Sequence, residues 1–101
     1  MAQVHVGILA TMKAKPGKEE EVAKFLAGAL PLANAEAGTV VWFAFRIDKS
    51  TFGIYDAFAD DGGRTAHLTG PIAKALMANA ETLLSEPPRI EKVDVLAAKL
   101  A

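Results

Sequence analysis

Two neighbouring stretches decide the fold: Thr39-Val-Val-Trp-Phe-Ala-Phe-Arg-Ile-Asp48 and Phe52-Gly-Ile-Tyr-Asp-Ala-Phe-Ala-Asp60. Both are rich in β-branched and aromatic residues, which suit a pleated, half-buried surface. Lys49-Ser50-Thr51 between them is short enough for a hairpin. Alternation puts Val41, Phe43, Phe45 and Ile47 on one face of the first strand, with Trp42, Ala44 and Arg46 on the other. In the second strand Phe52, Ile54, Asp56 and Phe58 oppose Gly53, Tyr55 and Ala57. Asp56 interrupts an otherwise apolar face, which makes it a candidate buried polar group.

Upstream, Val4, Val6, Ile8, Ala10 and Met12 alternate with His5, Gly7, Leu9 and Thr11, so Gln3 to Ala14 reads as a strand. Lys15-Pro16-Gly17 makes a turn. From Lys18 the period changes: Val22, Phe25, Leu26, Ala29, Leu30 and Ala33 form one helical stripe. Glu19, Glu20 and Glu21 fall in its first turn, where the helix dipole favours carboxylates. Pro31 should clash with the carbonyl of Ala27 and kink or stop this helix, and Gly38 is an end signal.

Downstream, Asp60-Asp61-Gly62-Gly63 reads as a turn capping a short helical piece through Leu68. Gly70-Pro71 starts another helix, with Ile72, Ala75, Leu76, Asn79, Ala80 and Leu83 on its inner stripe. Pro87-Pro88 ends it, and Arg89 to Leu100 reads as a last strand. The order β-α-β-β-α-β predicts an α+β, ferredoxin-like sandwich with an antiparallel sheet, filling residues 1–101 as a single domain. Both helices would cover one sheet face. Several strands are apolar on both faces, so a second copy packing sheet to sheet, a homodimer, is expected to cover the other.

Composition narrows the function. The chain has 101 residues, enough for one modest core. Lys plus Arg is 11 and Asp plus Glu 12, for a net charge of −1, which disfavours a nucleic-acid partner. No apolar run approaches the roughly 20 residues of a membrane span. Met1-Ala2-Gln3-Val4-His5 lacks a signal-peptide pattern, so a cytoplasmic location is the expectation. There is no cysteine, which excludes disulfides, thiolate chemistry and Cys-ligated metals. The two histidines, His5 and His67, show no metal-ligand spacing, so neither a metal nor a cofactor is expected.

Certain segments form a familiar ordered set. They are Lys13-Ala14-Lys15-Pro16-Gly17-Lys18-Glu19, Asn34-Ala35-Glu36-Ala37-Gly38-Thr39, Ile54-Tyr55-Asp56-Ala57-Phe58 and Ala66-His67-Leu68. Together they resemble the antibiotic biosynthesis monooxygenase domain family, over nearly the whole chain. The resemblance implies a homodimer whose sheets close a dimeric α/β barrel, with a ligand cavity between sheet and helices. It also implies oxidation of a reduced aromatic, a quinol or anthrone, by oxygen without flavin or metal. His67 falls on the family's recurrent histidine. Asp56 sits where many members have Glu, and Phe58 at a frequent Trp position. A second family histidine is absent from Thr69-Gly70-Pro71-Ile72. The Asn, Trp and His of the haem-degrading branch have no counterparts, which argues against haem.

His67 and Asp56 are therefore the catalytic candidates. A neutral His67 imidazole has the pKa to take a phenolic proton; otherwise it tethers the short helix to the sheet. Trp42, Tyr55 and Phe58 are candidate substrate contacts, or simply core. Arg46 could meet Asp56 or a substrate carbonyl, or form an ion pair. Asn79 could donate to a ligand or bond to backbone. His5 reads as a partly exposed strand-end residue. The alternative to an oxygenase is a non-catalytic dimeric domain that binds a small apolar molecule.

Overall fold

The computed structural model describes residues 3–100, so the part of the leader reading that concerns Met1 and Ala2 lies outside the described residues. The elements are β1 (Val6–Lys13), α1 (Glu19–Gly28), α2 (Leu30–Ala35), β2 (Thr39–Arg46), β3 (Thr51–Phe58), α3 (Asp61–Leu68), α4 (Pro71–Leu83) and β4 (Arg89–Asp94). The strands form one antiparallel sheet in the order β2-β3-β1-β4. Each of β2 and β4 returns from its helix to skip a strand or land beside β1, which is the ferredoxin-like α+β arrangement expected from the element order.

The departures have local causes. β1 begins at Val6 rather than Gln3 and ends at Lys13, with Ala14 making an isolated bridge to Leu84. β4 stops at Asp94 instead of running to Leu100, because its partner β1 begins at Val6, which pairs with Asp94. Beyond it, the Val95 amide still donates to His5 O, while Leu96 is 96 % exposed. Pro31 ends the first helical run: α1 stops at Gly28, and α2 restarts with Pro31 in its first turn. The break turns Leu30, placed on the inner stripe by periodicity, out to solvent.

The buried sheet face carries Ile8, Ala10, Met12, Phe52, Ile54, Asp56 and Phe58. Val22 and Leu26 of α1 and Leu76 and Leu83 of α4 close over it. Burying such an aliphatic side chain contributes about 1.5–3 kcal/mol. A smaller cluster of Ala29, Ala33 and Ile72 packs on Trp42. Between Thr39 and Val41 the β2–β3 register shifts, a β-bulge beside the end of α2.

The other sheet face is open and apolar. Phe43 and Ile47 are 59 % and 58 % exposed. Two glycines leave room for aromatic side chains to cross it. A Cβ on Gly53 would run directly into the Phe45 ring, and one on Gly7 would stand 3.0 Å from the Tyr55 hydroxyl and 2.8 Å from the Asp56 carbonyl oxygen. The carbonyl belongs to the sheet and cannot step aside. Gly7→Ala is therefore expected to destabilise the fold by about 1–3 kcal/mol in urea denaturation. Gly28→Ala, at the end of α1 with nothing within 4 Å of its Cβ, should be neutral or stabilising by up to about 1 kcal/mol.

Candidate functional site

Three elements converge beneath the end of the sheet. Asp60 caps α3 by accepting from the Gly63 amide at 3.1 Å. The helix then carries His67 inward, so that it is buried against β3. Asp56 on β3 is 1 % exposed. Glu36, just past the end of α2, turns its carboxylate in from an extended backbone. His67 Nε2 lies 2.8 Å from Asp56 Oδ2, and Nδ1 lies 2.6 Å from Glu36 Oε1. The bulge places Thr39 on the same face, where its hydroxyl donates to Glu36 Oε1 at 2.7 Å. The Phe58 ring packs at 5.4 Å from the imidazole.

An ionised carboxylate accepts hydrogen bonds and cannot donate them. With a carboxylate on each side, both ring nitrogens carry protons, and His67 is an imidazolium. Burial pushes its pKa down, but the hydrogen bonds it donates to Asp56 and Glu36, and their charges, overcome this and raise it to about 9. The neutral imidazole expected from the sequence is thus replaced by a charged one with no free nitrogen. The unused acceptors are on its partners: Asp56 Oδ1 and Glu36 Oε2 are buried without a hydrogen-bond partner among the described residues, and so is the donor Trp42 Nε1. Trp42 pairs with Asp56 across the β2–β3 ladder, on the same face. Gly70 leaves room for this arrangement, since a Cβ there would stand 3.2 Å from Glu36 Oε2.

Of the residues singled out in the sequence, the structure gathers His67, Asp56, Trp42 and Phe58. It sets three apart. Tyr55 lies on the opposite, open face of the sheet. Arg46, at the far end of β2, pairs with Glu20 at 2.9 Å and covers the Phe52 ring at 4.7 Å. Asn79 donates to the Ala75 carbonyl at 2.8 Å within α4. His5 is exposed. Glu36 was not read as a site residue. It lies 31 positions from His67, and its signal was only a carboxylate beside a helix end. Among the described residues, no group of three or more His, Cys, Asp or Glu is arranged to hold a metal ion. No helix there is long and apolar enough to cross a membrane.

An apolar hollow of about 220 Å³ opens between α1 and β2, lined by Ala23, Leu26, Ala27, Ala44, Phe45 and Phe52 with Arg46 at its rim. Asp56 and His67 do not line it.

A protein from Caulobacter crescentus, provisionally named an antibiotic biosynthesis monooxygenase, superposes with a TM-score of 0.78 at 23 % identity, over 94 % of this chain and 92 % of that one. A second provisionally so named, from Nitrosomonas europaea, gives 0.79 at 16 % identity, over 95 % of each chain. The fold is that of the antibiotic biosynthesis monooxygenase-like proteins. Within it, the chain belongs to the family of the NE2512 protein of unknown function from Nitrosomonas europaea, with 61 % identity over 97 % of this chain and 95 % of that one and a TM-score of 0.95. No protein-family model and no curated protein matches the chain.

The charge cluster predicts a stability profile. His67 has a folded-state pKa of about 9 against 6.5 unfolded, so its contribution is fully present below pH 6.5 and is lost as pH rises through 9. Urea unfolding at pH 6, 8 and 10 is expected to show a decline of up to roughly 3 kcal/mol. The decline should be absent from a His67→Gln variant. In a Glu36→Gln variant, NMR titration of His67 should show its pKa lowered.

Proposed function

We propose that the chain is a homodimeric, cofactor-independent monooxygenase that oxidises a small electron-rich aromatic of the quinol or anthrone type. The observation that carries this reading is the buried Asp56–His67–Glu36 cluster, with Asp56 Oδ1 left without a partner among the described residues. Ionised groups are costly to bury, and clusters of this kind concentrate at functional sites. The likeness of fold to proteins provisionally named antibiotic biosynthesis monooxygenases supports it.

In this reading Asp56 Oδ1 takes a proton from the substrate. The His67 imidazolium on the other carboxylate oxygen holds Asp56 in place, and Glu36 fixes the ring from behind. Trp42 Nε1 is the donor available to a substrate oxygen, and Phe58 forms an apolar wall beside His67. For an anthrone, the carbanion passes one electron to dioxygen and the two radicals combine to a peroxide anion. Asp56 returns its proton to that anion, and loss of water leaves a carbonyl. One oxygen atom enters the substrate, the other leaves as water, and the substrate's CH₂ group supplies all the electrons. The site's task is then to deprotonate, orient and exclude water.

A second copy is the natural cover for the open sheet face. Phe43, Phe45 and Ile47 lie exposed there, and Phe45 and Tyr55 reach across glycines, leaving a surface that a facing sheet can approach. Tyr55 then belongs to the interface rather than to the reacting group.

The hollow under α1 favours a second reading, a non-catalytic domain that binds a small apolar molecule, because neither Asp56 nor His67 lines it. Oxygen uptake with a panel of anthrones and hydroquinols separates the two. Turnover that falls about 10²-fold or more in a folded Asp56→Asn variant is the expected result. Binding without uptake above the uncatalysed rate would favour the second reading. Sedimentation should give a dimer that dissociates when Phe43 and Ile47 are both changed to Asp. A monomeric parent chain would remove the dimer from the reading.

A further inference from the structure

The hollow between α1 and β2 has a composition that selects a ligand class. Its helix side is formed by Ala23, Leu26 and Ala27, and Ala44, Phe45 and Phe52 come from the sheet. Three of these six are alanines, so short side chains on both α1 and β2 leave the space open. Arg46 stands at the rim as the one charged residue of the lining.

Arg46 is pre-placed. Its guanidinium carbon lies 4.7 Å from the centre of the Phe52 ring, an arrangement favoured by the ring's electron-rich face. Among the described residues its one hydrogen-bonded partner is Glu20, through a single contact from Nη2 to Oε2 at 2.9 Å. That leaves most of the guanidinium's five N–H donors unused, although the group is built to grip a carboxylate with two parallel bonds. The Glu20 side chain is 80 % exposed and that of Arg46 41 %. A pair this exposed is weakly held, and Glu20 is free to swing into water.

We propose that this hollow binds a small aromatic carboxylate, whose ring lies against Ala23, Ala27 and Ala44 and whose carboxylate displaces Glu20 from Arg46. The inference rests on the second reading, in which the hollow binds a small apolar molecule, and it adds the aromatic ring and the charge that the molecule carries. Glu20 acts as an internal competitor: it occupies the anion position when the hollow is empty and yields it when a ligand arrives.

Benzoate and its uncharged counterpart benzamide test this by NMR titration of ¹⁵N-labelled protein. Benzoate should shift the amides of Ala23, Ala27, Ala44 and Arg46 and bind at least tenfold more tightly than benzamide. Glu20→Gln, a change at an exposed position, should tighten benzoate binding by roughly two- to fivefold, the size of an exposed ion pair, and leave benzamide unaffected. Arg46→Gln should abolish the preference for the acid, and Ala27→Leu should block both probes. Equal binding of the two probes, tighter benzamide binding, shifts confined to other surfaces, or weaker benzoate binding by the Glu20 variant would each overturn the proposal. Failure here alongside intact oxygen uptake on neutral quinols would remove this site in the hollow and leave the oxygenase reading standing. Success without uptake on any aromatic would leave a binding site and remove the oxygenase.

Discussion

A positively charged imidazole held between two carboxylates fastens three parts of the chain that are remote in sequence. Glu36 comes from the link between α2 and β2, Asp56 from β3 and His67 from α3. Neither carboxylate would be tolerable alone in this apolar surrounding. With the imidazolium between them each has a charge-assisted partner, and each keeps one oxygen without a partner among the described residues. The Asp60 cap on α3, the bulge at the start of β2 and the missing side chain at Gly70 all serve this geometry. The local irregularities near this end of the sheet are therefore consistent with one another.

The sheet itself has two unlike faces. One is closed by α1 and α4 over an apolar core that takes in the Asp56 carboxylate. The other presents Phe43, Phe45 and Ile47 to the outside. A face of that kind is a poor surface for an isolated chain, and its glycines keep it flat where Phe45 and Tyr55 cross it. The buried charge cluster and the exposed apolar patch are thus separated across one layer of backbone. Asp56 and Tyr55, adjacent in sequence, belong to opposite sides of that division because side chains alternate along a strand.

Period-two alternation was enough to place β1, β2 and β3 and to assign their faces. Period 3.6 placed α1 and α4, and Pro31 marked the break between α1 and α2. The errors fall where a long-range partner, not a local pattern, sets the boundary. β4 ends where its pairing with β1 ends, although Val95, Leu96 and Leu100 would extend an apolar strand. Asp56 was legible as a buried group because it interrupts an apolar face. His67 was legible through its type and its resemblance to a family position. Glu36 was not, since one carboxylate beside a helix end resembles any solvated one until the fold brings it to the imidazole. Arg46 and Asn79 had the right chemistry, but their strand and helix positions carry them to other partners.

The sequence by itself determined the element order, the antiparallel α+β sheet and the separation of its two faces, because side-chain periodicity and the proline and glycine stops act over a few residues. Tertiary structure alone decided the protonation state of His67. That state depends on two carboxylates brought against both ring nitrogens and on the exclusion of water around them, and neither condition exists until distant segments have packed.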